Sequence, residues 1–318
     1  MRILTDKGHR AFLVGNQKFE DQDTVQIVVT GGKVRITNLS RTQNQKYVSL
    51  WDASLLGSEI CGGKAHRLST LKILGFQVPH GAVLTTLLFD SVIKALGYEP
   101  SISLSEFTDI HKLLENPSPE ILEIIKSQLV DYQKSDRIFA VRSSATIEDD
   151  AQNSMAGMYD SFLNVSGDDL TGKVIQVIQS AFSIKIMNFL NENPDLIKKQ
   201  KMAVIIQEMI PARCAGVIFG ANVQSKDTDI VEIEAKEGLG EGIVSGEAKE
   251  IEQCKFSRSQ RHIIEHKKPT ILSSTEAKAL FMLSERLRSE FNSPQDIEWA
   301  IDQNGQIWIL QTRDLFLG

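Results

Sequence analysis

Little in this chain could staple, kink or anchor it. Three cysteines, Cys61, Cys214 and Cys254, are an odd number without metal-ligand spacing, which argues against a disulfide scaffold and for a reducing compartment. Eight prolines and 21 glycines among 318 residues are too few for a fibrous or low-complexity chain. No apolar run approaches the roughly 18 residues needed to span a bilayer, and charge enters Met1 to Lys7 too early for the apolar core of a secretion signal. Surplus basic charge is missing as well: 35 Lys and Arg stand against 41 Asp and Glu, a net charge of -6. No overall field therefore draws the chain to nucleic acid or to an anionic membrane. The expectation is a cytoplasmic protein with neither of those partners.

What is present is an ordinary globular composition, 42% hydrophobic and 24% charged, in a length that predicts about two domains or one large lobed one. Residues 1–52 read as a small β-rich end piece: Thr24 to Thr30 is rich in β-branched residues, Gly31-Gly32 turns the chain, and Lys33 to Thr37 alternates again. Residues 53–135 read as a helical lobe, with apolar spacing through Lys64 to Leu74, Leu87 to Leu96 and Pro119 to Tyr132. From 136 to 318, short strand-like runs at 138–141, 203–206, 216–219 and 230–233 alternate with loops and helices, which makes the class α+β or α/β. The longest helix candidate in this half runs from Leu170 to Leu190, ending near Asn193-Pro194.

The sharpest local pattern lies near the C-terminal end. Asn304-Gly305 between two alternating runs, within 296–313, is a strong hairpin signal. With those two as the loop, Ile301 faces Trp308, Trp299 faces Leu310 and Glu298 faces Gln311. Directly opposed side chains have Cβ atoms about 4.5–5.5 Å apart, so the Glu298 carboxylate and the Gln311 amide oxygen can converge on one point, with Arg313 two residues along on the same face. Two hard oxygens beside a guanidinium suit Mg²⁺ held on a polyphosphate. An exposed sheet face would carry the same three residues without any ligand, and the hairpin alone does not choose.

Other segments have the chemistry of phosphate or nucleotide sites. Gly62-Gly63-Lys64 puts flexible backbone and an ammonium at the start of a helix, where backbone donors attract anions, although a glycine pair before a helix can be only a turn. Arg142-Ser143-Ser144-Ala145-Thr146 follows a buried-looking strand and sets a cation and three hydroxyls at its end; such a loop can equally be a cap or a solvated connection. Ala156 to Ser161 could form a loop over phosphates, with Gly157 permitting close backbone approach. Gln207-Glu208-Met209 ends an apolar strand, where it could read an adenine edge or simply lead the chain to solvent. Glu234, Lys236 and the run from Gly238 to Glu241 add acidic and glycine-rich character.

In their order these segments resemble the ATP-binding domain of the phosphoenolpyruvate synthase, pyruvate phosphate dikinase and rifampin phosphotransferase family. The resemblance spans about 58–315 and rests on GGKAHRL, GFQVPHGAVLTT, AVRSSATIEDDAQNSMAGMYDSFLNV, MAVIIQEMI, AGVIFGAN, EAKEGLGEGIVSGEAKE and SPQDIEWAIDQNGQIWILQTR. It implies an ATP-grasp fold, α+β lobes enclosing an ATP cleft over 53–318, with ATP and Mg²⁺ as cofactors. By motif position Lys64, Arg142 and Arg313 would meet the phosphates as the catalytic cations. Gly157 and Ser161 would belong to the loop over them, Gln207, Glu208 and Met209 would lie at the base, and Glu298 and Gln311 would bind the metal.

The resemblance also implies a dikinase-type phosphotransferase, which donates a phosphoryl group of ATP to a histidine on a separate domain and releases AMP. None of the six histidines stands in the family's Thr-Ser-His-like setting. The implied partner is thus a phosphohistidine domain on another chain or a missing part of a longer protein, serving a small-molecule or carbohydrate acceptor. Residues 8–37 resemble the end of such a domain downstream of its histidine, an order similar to that of glucan water dikinases. The alternatives are a stand-alone ATP-grasp kinase or ligase acting directly on a small molecule, and a non-catalytic ATP-sensing module. One departure stands out: Gly220-Ala221-Asn222-Val223 replaces the relatives' Thr-x-Asn-Pro, which puts the rigidity of that loop in question.

Overall fold

The computed structural model describes residues 2–4, 10–12, 25–30, 33–38, 44–148, 157–240, 251–267 and 269–317. The chain divides into two units, one comprising Met1–Gly75 and His80–Glu208, the other Phe76–Pro79 and Met209–Gly318. Each is built on an antiparallel sheet, packed with seven α-helices in the first unit and one in the second among the described residues, an α+β arrangement as the sequence implies. Among the described residues no helix is long and apolar enough to cross a membrane.

The first unit begins with two small hairpins, β1 (Arg2–Leu4) with β2 (Arg10–Phe12) and β3 (Val25–Thr30) with β4 (Lys33–Asn38). The second matches the expected strands, with Thr30 opposite Lys33; its Gly31-Gly32 turn lies outside the described residues. Its main sheet has the order β5 (Tyr47–Ser49), β6 (Gly81–Leu84), β9 (Met202–Glu208), β7 (Phe139–Ala145) and β8 (Ser161–Val165). The helices are α1 (Ser58–Cys61), α2 (Gly63–Ile73), α3 (Thr86–Ala95), α4 (Phe107–Glu115), α5 (Pro119–Gln133), α6 (Leu170–Ser180) and α7 (Ile184–Glu192). The helices within 53–135 are thus interrupted by β6, which pairs with β9.

Strand alternation gives this sheet two different faces. Val141 and Ala145 of β7, with Val204 and Ile206 of β9, join Leu88 and Phe89 of α3, Ile125 of α5 and Val174 of α6 in one buried core. Phe182 stacks on Phe89 and meets Phe107 edge-on, at ring separations of 5.7 and 5.1 Å. The other face carries Ala140, Arg142 and Ser144, opposite Gln207, Ile205 and Ala203. The single helix expected over Leu170 to Leu190 is two helices. Ser183 has extended backbone (φ -66, ψ 157) and accepts from the Ile186 N–H, so it caps a new helix rather than continuing the old one.

The second unit has six strands in the order β13 (His262–Lys267), β12 (Glu252–Ser257), β11 (Ile230–Glu237), β10 (Ala212–Phe219), β14 (Gln295–Asp302) and β15 (Ile307–Asp314). One face is apolar: Cys254, Ile233, Ile218 and Ile297 form a row, with Trp299 fully buried beside them. The helix α8 (Ser274–Phe291) covers it through Ala277, Leu280, Phe281 and Leu287, with Phe281 stacked 4.8 Å from Phe256. A Ser273/Glu276 capping box starts that helix, and Asn292 in the left-handed conformation ends it. All three cysteines are buried in these packed regions. Burial pushes Cys61 and Cys254 up to about 12 and Cys214 up to about 11, so they are protonated packing residues rather than nucleophiles.

Candidate functional site

In the first unit, two motifs far apart in sequence are fastened together. Gly62 caps α2 with φ 71, and a Cβ at that position would lie 1.8 Å from the Ser144 carbonyl oxygen. Only glycine lets the start of the helix lie this close to the end of β7. The Ser144 hydroxyl completes the joint, donating to the Cys61 carbonyl at 2.9 Å and accepting from the Ala65 N–H at 3.0 Å. Lys64, in the first turn of α2, is thereby fixed beside the strand end. Its Nζ lies 2.6 Å from Glu148 Oε1 and 3.4 Å from Ser143 Oγ.

Arg142 is half-buried on β7, opposite Ile205 of β9 and Ser161, the exposed first residue of β8. Gly157, exposed and at φ 73, precedes that strand. Gln207 lies on the same face as Arg142 and is 2% exposed. Glu208 ends β9: its N–H donates to the His80 carbonyl at 2.8 Å, and its carboxylate pairs with Arg137. Met209, half-buried, opens the second unit's main stretch. The structure therefore groups Lys64 with the strand-end serines and sets Arg142, Ser161 and Gln207 on one sheet face.

In the second unit, the hairpin brings Glu298 directly opposite Gln311, as its sequence implies, but by another route. The loop is not the two residues Asn304-Gly305. Asp302 pairs with Gln306 across a three-residue loop: its N–H donates to the Gln306 carbonyl, and its own carbonyl accepts from Gly305, both at 3.1 Å. The Asp302 carboxylate accepts from the Asn304, Gln306 and Trp308 N–H groups at 2.8, 3.0 and 3.0 Å, and this bonding selects the wider loop. Hydrogen bonds from Trp308 first, then from the Gln306 and Asn304 backbone, hold its carboxyl below the usual range despite desolvation. Ile301 consequently faces Ile307 and Trp299 faces Ile309, one residue off the expected register. A bulge between Glu298 and Trp299 absorbs Leu310 and restores the pairing of Glu298 with Gln311.

Beside that pair, Asp296 is opposite Arg313 and takes two hydrogen bonds from its guanidinium, Nε at 2.7 Å and a terminal nitrogen at 2.5 Å, on one carboxylate oxygen. Burial pushes the Asp296 carboxyl above its ordinary value; Arg313 opposes that shift, and Glu298 adds to it. The same face continues across the sheet through Glu234 and Glu232 of β11 and Gln253 and Lys255 of β12. Lys255 is 2.8 Å from Glu232, and Gln253 donates to Glu234 at 2.9 Å. Two residues of these clusters carry a weaker signal in the sequence: Asp296, two residues before Glu298 and opposite Arg313, and Glu148, the acid that follows Arg-Ser-Ser-Ala-Thr-Ile.

The loop after β10 has its own ties in place of the threonine and proline. The Asn222 side chain accepts from the Ser225 N–H at 2.7 Å and donates to Glu232 at 2.9 Å, while its backbone N–H reaches the Asp227 carbonyl at 3.0 Å. For a divalent ion, the Glu298 carboxylate and Gln311 amide offer two hard oxygens. Among the described residues no group of three or more His, Cys, Asp or Glu gathers as a metal cluster. That donor set fits Mg²⁺, which is commonly held by one or two protein groups with its remaining positions on phosphate and water.

The family model for the pyruvate phosphate dikinase AMP/ATP-binding domain matches residues 58–270 and 252–316. A probable phosphoenolpyruvate synthase of Methanothermobacter thermautotrophicus is 32% identical over 318 aligned residues, covering 85% of this chain and 46% of that protein. The rifampicin phosphotransferase of Bacillus subtilis is 26% identical, over 80% of this chain and 34% of its own. The prodigiosin synthesizing transferase PigC of Serratia marcescens is 27% identical, over 80% and 31%. The chain spans less than half the length of these curated relatives. Among solved structures, the ATP-grasp ligase PsnB with its minimal precursor aligns with 96% of this chain and 82% of its own at 11% identity; its TM-score of 0.31 is too low for a fold assignment to rest on.

Proposed function

Since the chain belongs to the pyruvate phosphate dikinase AMP/ATP-binding family, we propose that it is the ATP-grasp module of a dikinase-type phosphotransferase. In this reading it binds Mg·ATP and the β-phosphoryl group passes to a histidine of a partner domain, on another chain or on a further part of a longer protein, while AMP leaves and the γ-phosphoryl group is taken by water or by phosphate and released as phosphate or pyrophosphate. The histidine then hands the group to a small-molecule or carbohydrate acceptor. The observation that carries the proposal is the directly opposed Glu298 and Gln311, with Arg313 held alongside by Asp296 on the same sheet face.

The chemistry asks for charge neutralisation and alignment rather than a nucleophile from this chain. Lys64, Arg142 and Arg313 are the cations for phosphate oxygens. Gly157 and Ser161 belong to the loop over the phosphates; Gln207, Glu208 and the Met209 backbone address the base. Glu298 and Gln311 would hold the metal, which would supply further neutralisation of phosphate oxygen. Asp296 fixes the direction of the Arg313 guanidinium, which itself stays 43% exposed. The experiment is a product assay with labelled Mg·ATP, with and without a histidine-bearing partner domain. AMP and phosphorylated partner are expected together; formation of ADP alone refutes the dikinase step, and turnover of a small acceptor without a partner refutes the need for one.

A further inference from the structure

The ion pair between Lys64 and Glu148 has a consequence for how phosphate reaches the first unit. Lys64 sits in the first turn of α2, where the helix offers partial positive charge and no acidic residue of its own. The counter-charge comes from Glu148, across the joint made by Gly62 and Ser144. Its Oε1 is 2.6 Å from the ammonium, and its Oε2 accepts from the Ala145 N–H at 3.4 Å, so the carboxylate spans from the strand end to the lysine. The two side chains are only 19% and 9% exposed, a setting in which solvent screens their attraction less than at an open surface. A phosphate oxygen approaching Lys64 therefore meets an ammonium that already holds an anion.

We propose that Glu148 is a built-in competitor of phosphate at Lys64: its carboxylate holds the ammonium and must yield it when a phosphate binds. It thereby sets how much anionic charge a ligand must bring in order to engage this element. The inference rests on the reading of Lys64 as a phosphate ligand. It differs from a purely supportive role for Glu148, in which the carboxylate would aim the lysine at its ligand and its loss would weaken binding.

The test is calorimetric titration of Mg·ATP, and of adenosine as a ligand without phosphate, into the wild type, Glu148→Gln, Lys64→Met and the double variant, with thermal melts to confirm folding. The glutamine keeps the shape and the hydrogen bond to Ala145 but not the charge. Glu148→Gln is expected to tighten Mg·ATP about five- to tenfold, the difference between a charged and a neutral hydrogen bond, to leave adenosine unchanged, and to have no effect in the Lys64→Met background. Weaker Mg·ATP binding by Glu148→Gln, or a gain that persists without Lys64, overturns the proposal while Lys64→Met still shows the lysine to matter. Unchanged affinity in Lys64→Met alone instead removes the phosphate reading of Lys64 itself. Should Glu148→Gln fail to fold, Glu148→Asp, which draws the carboxylate back by one methylene, is expected to tighten Mg·ATP by a smaller factor; equal or weaker binding by it counts against the competitor role.

Discussion

Two glycines share a positive φ, Gly62 at 71 and Gly157 at 73, but stand in different surroundings. Replacing either with alanine imposes the left-handed penalty on an L residue, about 1–2 kcal/mol. There the likeness ends. The new methyl at 157 meets nothing within 4 Å, whereas at 62 it lands 1.8 Å from the Ser144 carbonyl oxygen and 2.4 Å from the Ser144 hydroxyl. A backbone oxygen cannot rotate away, so the start of α2 has to leave the strand. Its departure breaks the hydrogen bonds of Ser144 to Cys61 and Ala65, each worth about 1 kcal/mol. Gly62→Ala is therefore expected to cost about 3–4 kcal/mol, against about 1–2 for Gly157→Ala. At about 2–4 °C per kcal/mol for a domain of 150–250 residues, the melting temperatures should fall by roughly 6–16 °C and 2–8 °C. Urea titration and thermal melts of the two variants measure this directly. Equal losses in both would refute the close-approach reasoning, since the methyl meets the Ser144 backbone only at position 62.

Glu298→Ala removes one of the two metal oxygens while Arg313 stays, so Mg²⁺-dependent ATP affinity should fall at least tenfold, about 1.4 kcal/mol or more, with metal-free nucleotide binding little changed; titrations with and without Mg²⁺ check it, and retained Mg·ATP affinity counts against the assignment. Asp296 carries a pH dependence whose sign follows from its raised folded pKa: the folded chain holds that proton more tightly, so the contribution is complete below the unfolded value of about 3.9 and is lost as pH rises through the folded one. Wild-type stability relative to Asp296→Asn should thus improve as pH falls from 7 to below 4, and a pH-independent difference between the two melts would contradict the burial argument. Asn222→Ala deletes the side-chain bonds to Ser225 and Glu232 and should cost about 1–2 kcal/mol while speeding hydrogen exchange at the Ser225 amide; unaltered exchange there would show that the loop is fixed by something else.

The strands and helices that carry the candidate site were largely legible because they are periodic. Lys64 to Leu74, Pro119 to Tyr132 and the short β-rich runs at 203–206 and 230–233 all fall within a few residues of the observed elements. Local competition was harder to see. Asn304-Gly305 is a valid two-residue turn by composition, yet the Asp302 carboxylate accepts three N–H groups that favour a wider loop. The Glu298 and Gln311 pairing survived only because a bulge cancelled the error. Ser183 likewise divides a stretch whose apolar spacing runs on through it. What no one-dimensional pattern exposes is partnership across distance: Glu148 with Lys64, or a glycine at 62 demanded by a carbonyl at 144. The chemical roles came chiefly from the family resemblance, since acid, amide and guanidinium on a strand face also suit plain solvent exposure.

The brief passage Phe76–Pro79 belongs with residues beyond 209 rather than with its sequence neighbours. Its Gln77 carbonyl accepts from the Ile309 N–H at 2.8 Å, on the outermost strand of the six, and Phe76 lies under the Arg286 guanidinium at 3.9 Å. A fragment starting at 209 would therefore lose that backbone hydrogen bond on β15 and strip a cation from its aromatic ring. Dissecting this protein by simple truncation would damage the very half it sought to isolate; a faithful fragment must bring along four residues from far upstream, joined by a linker or supplied as a peptide.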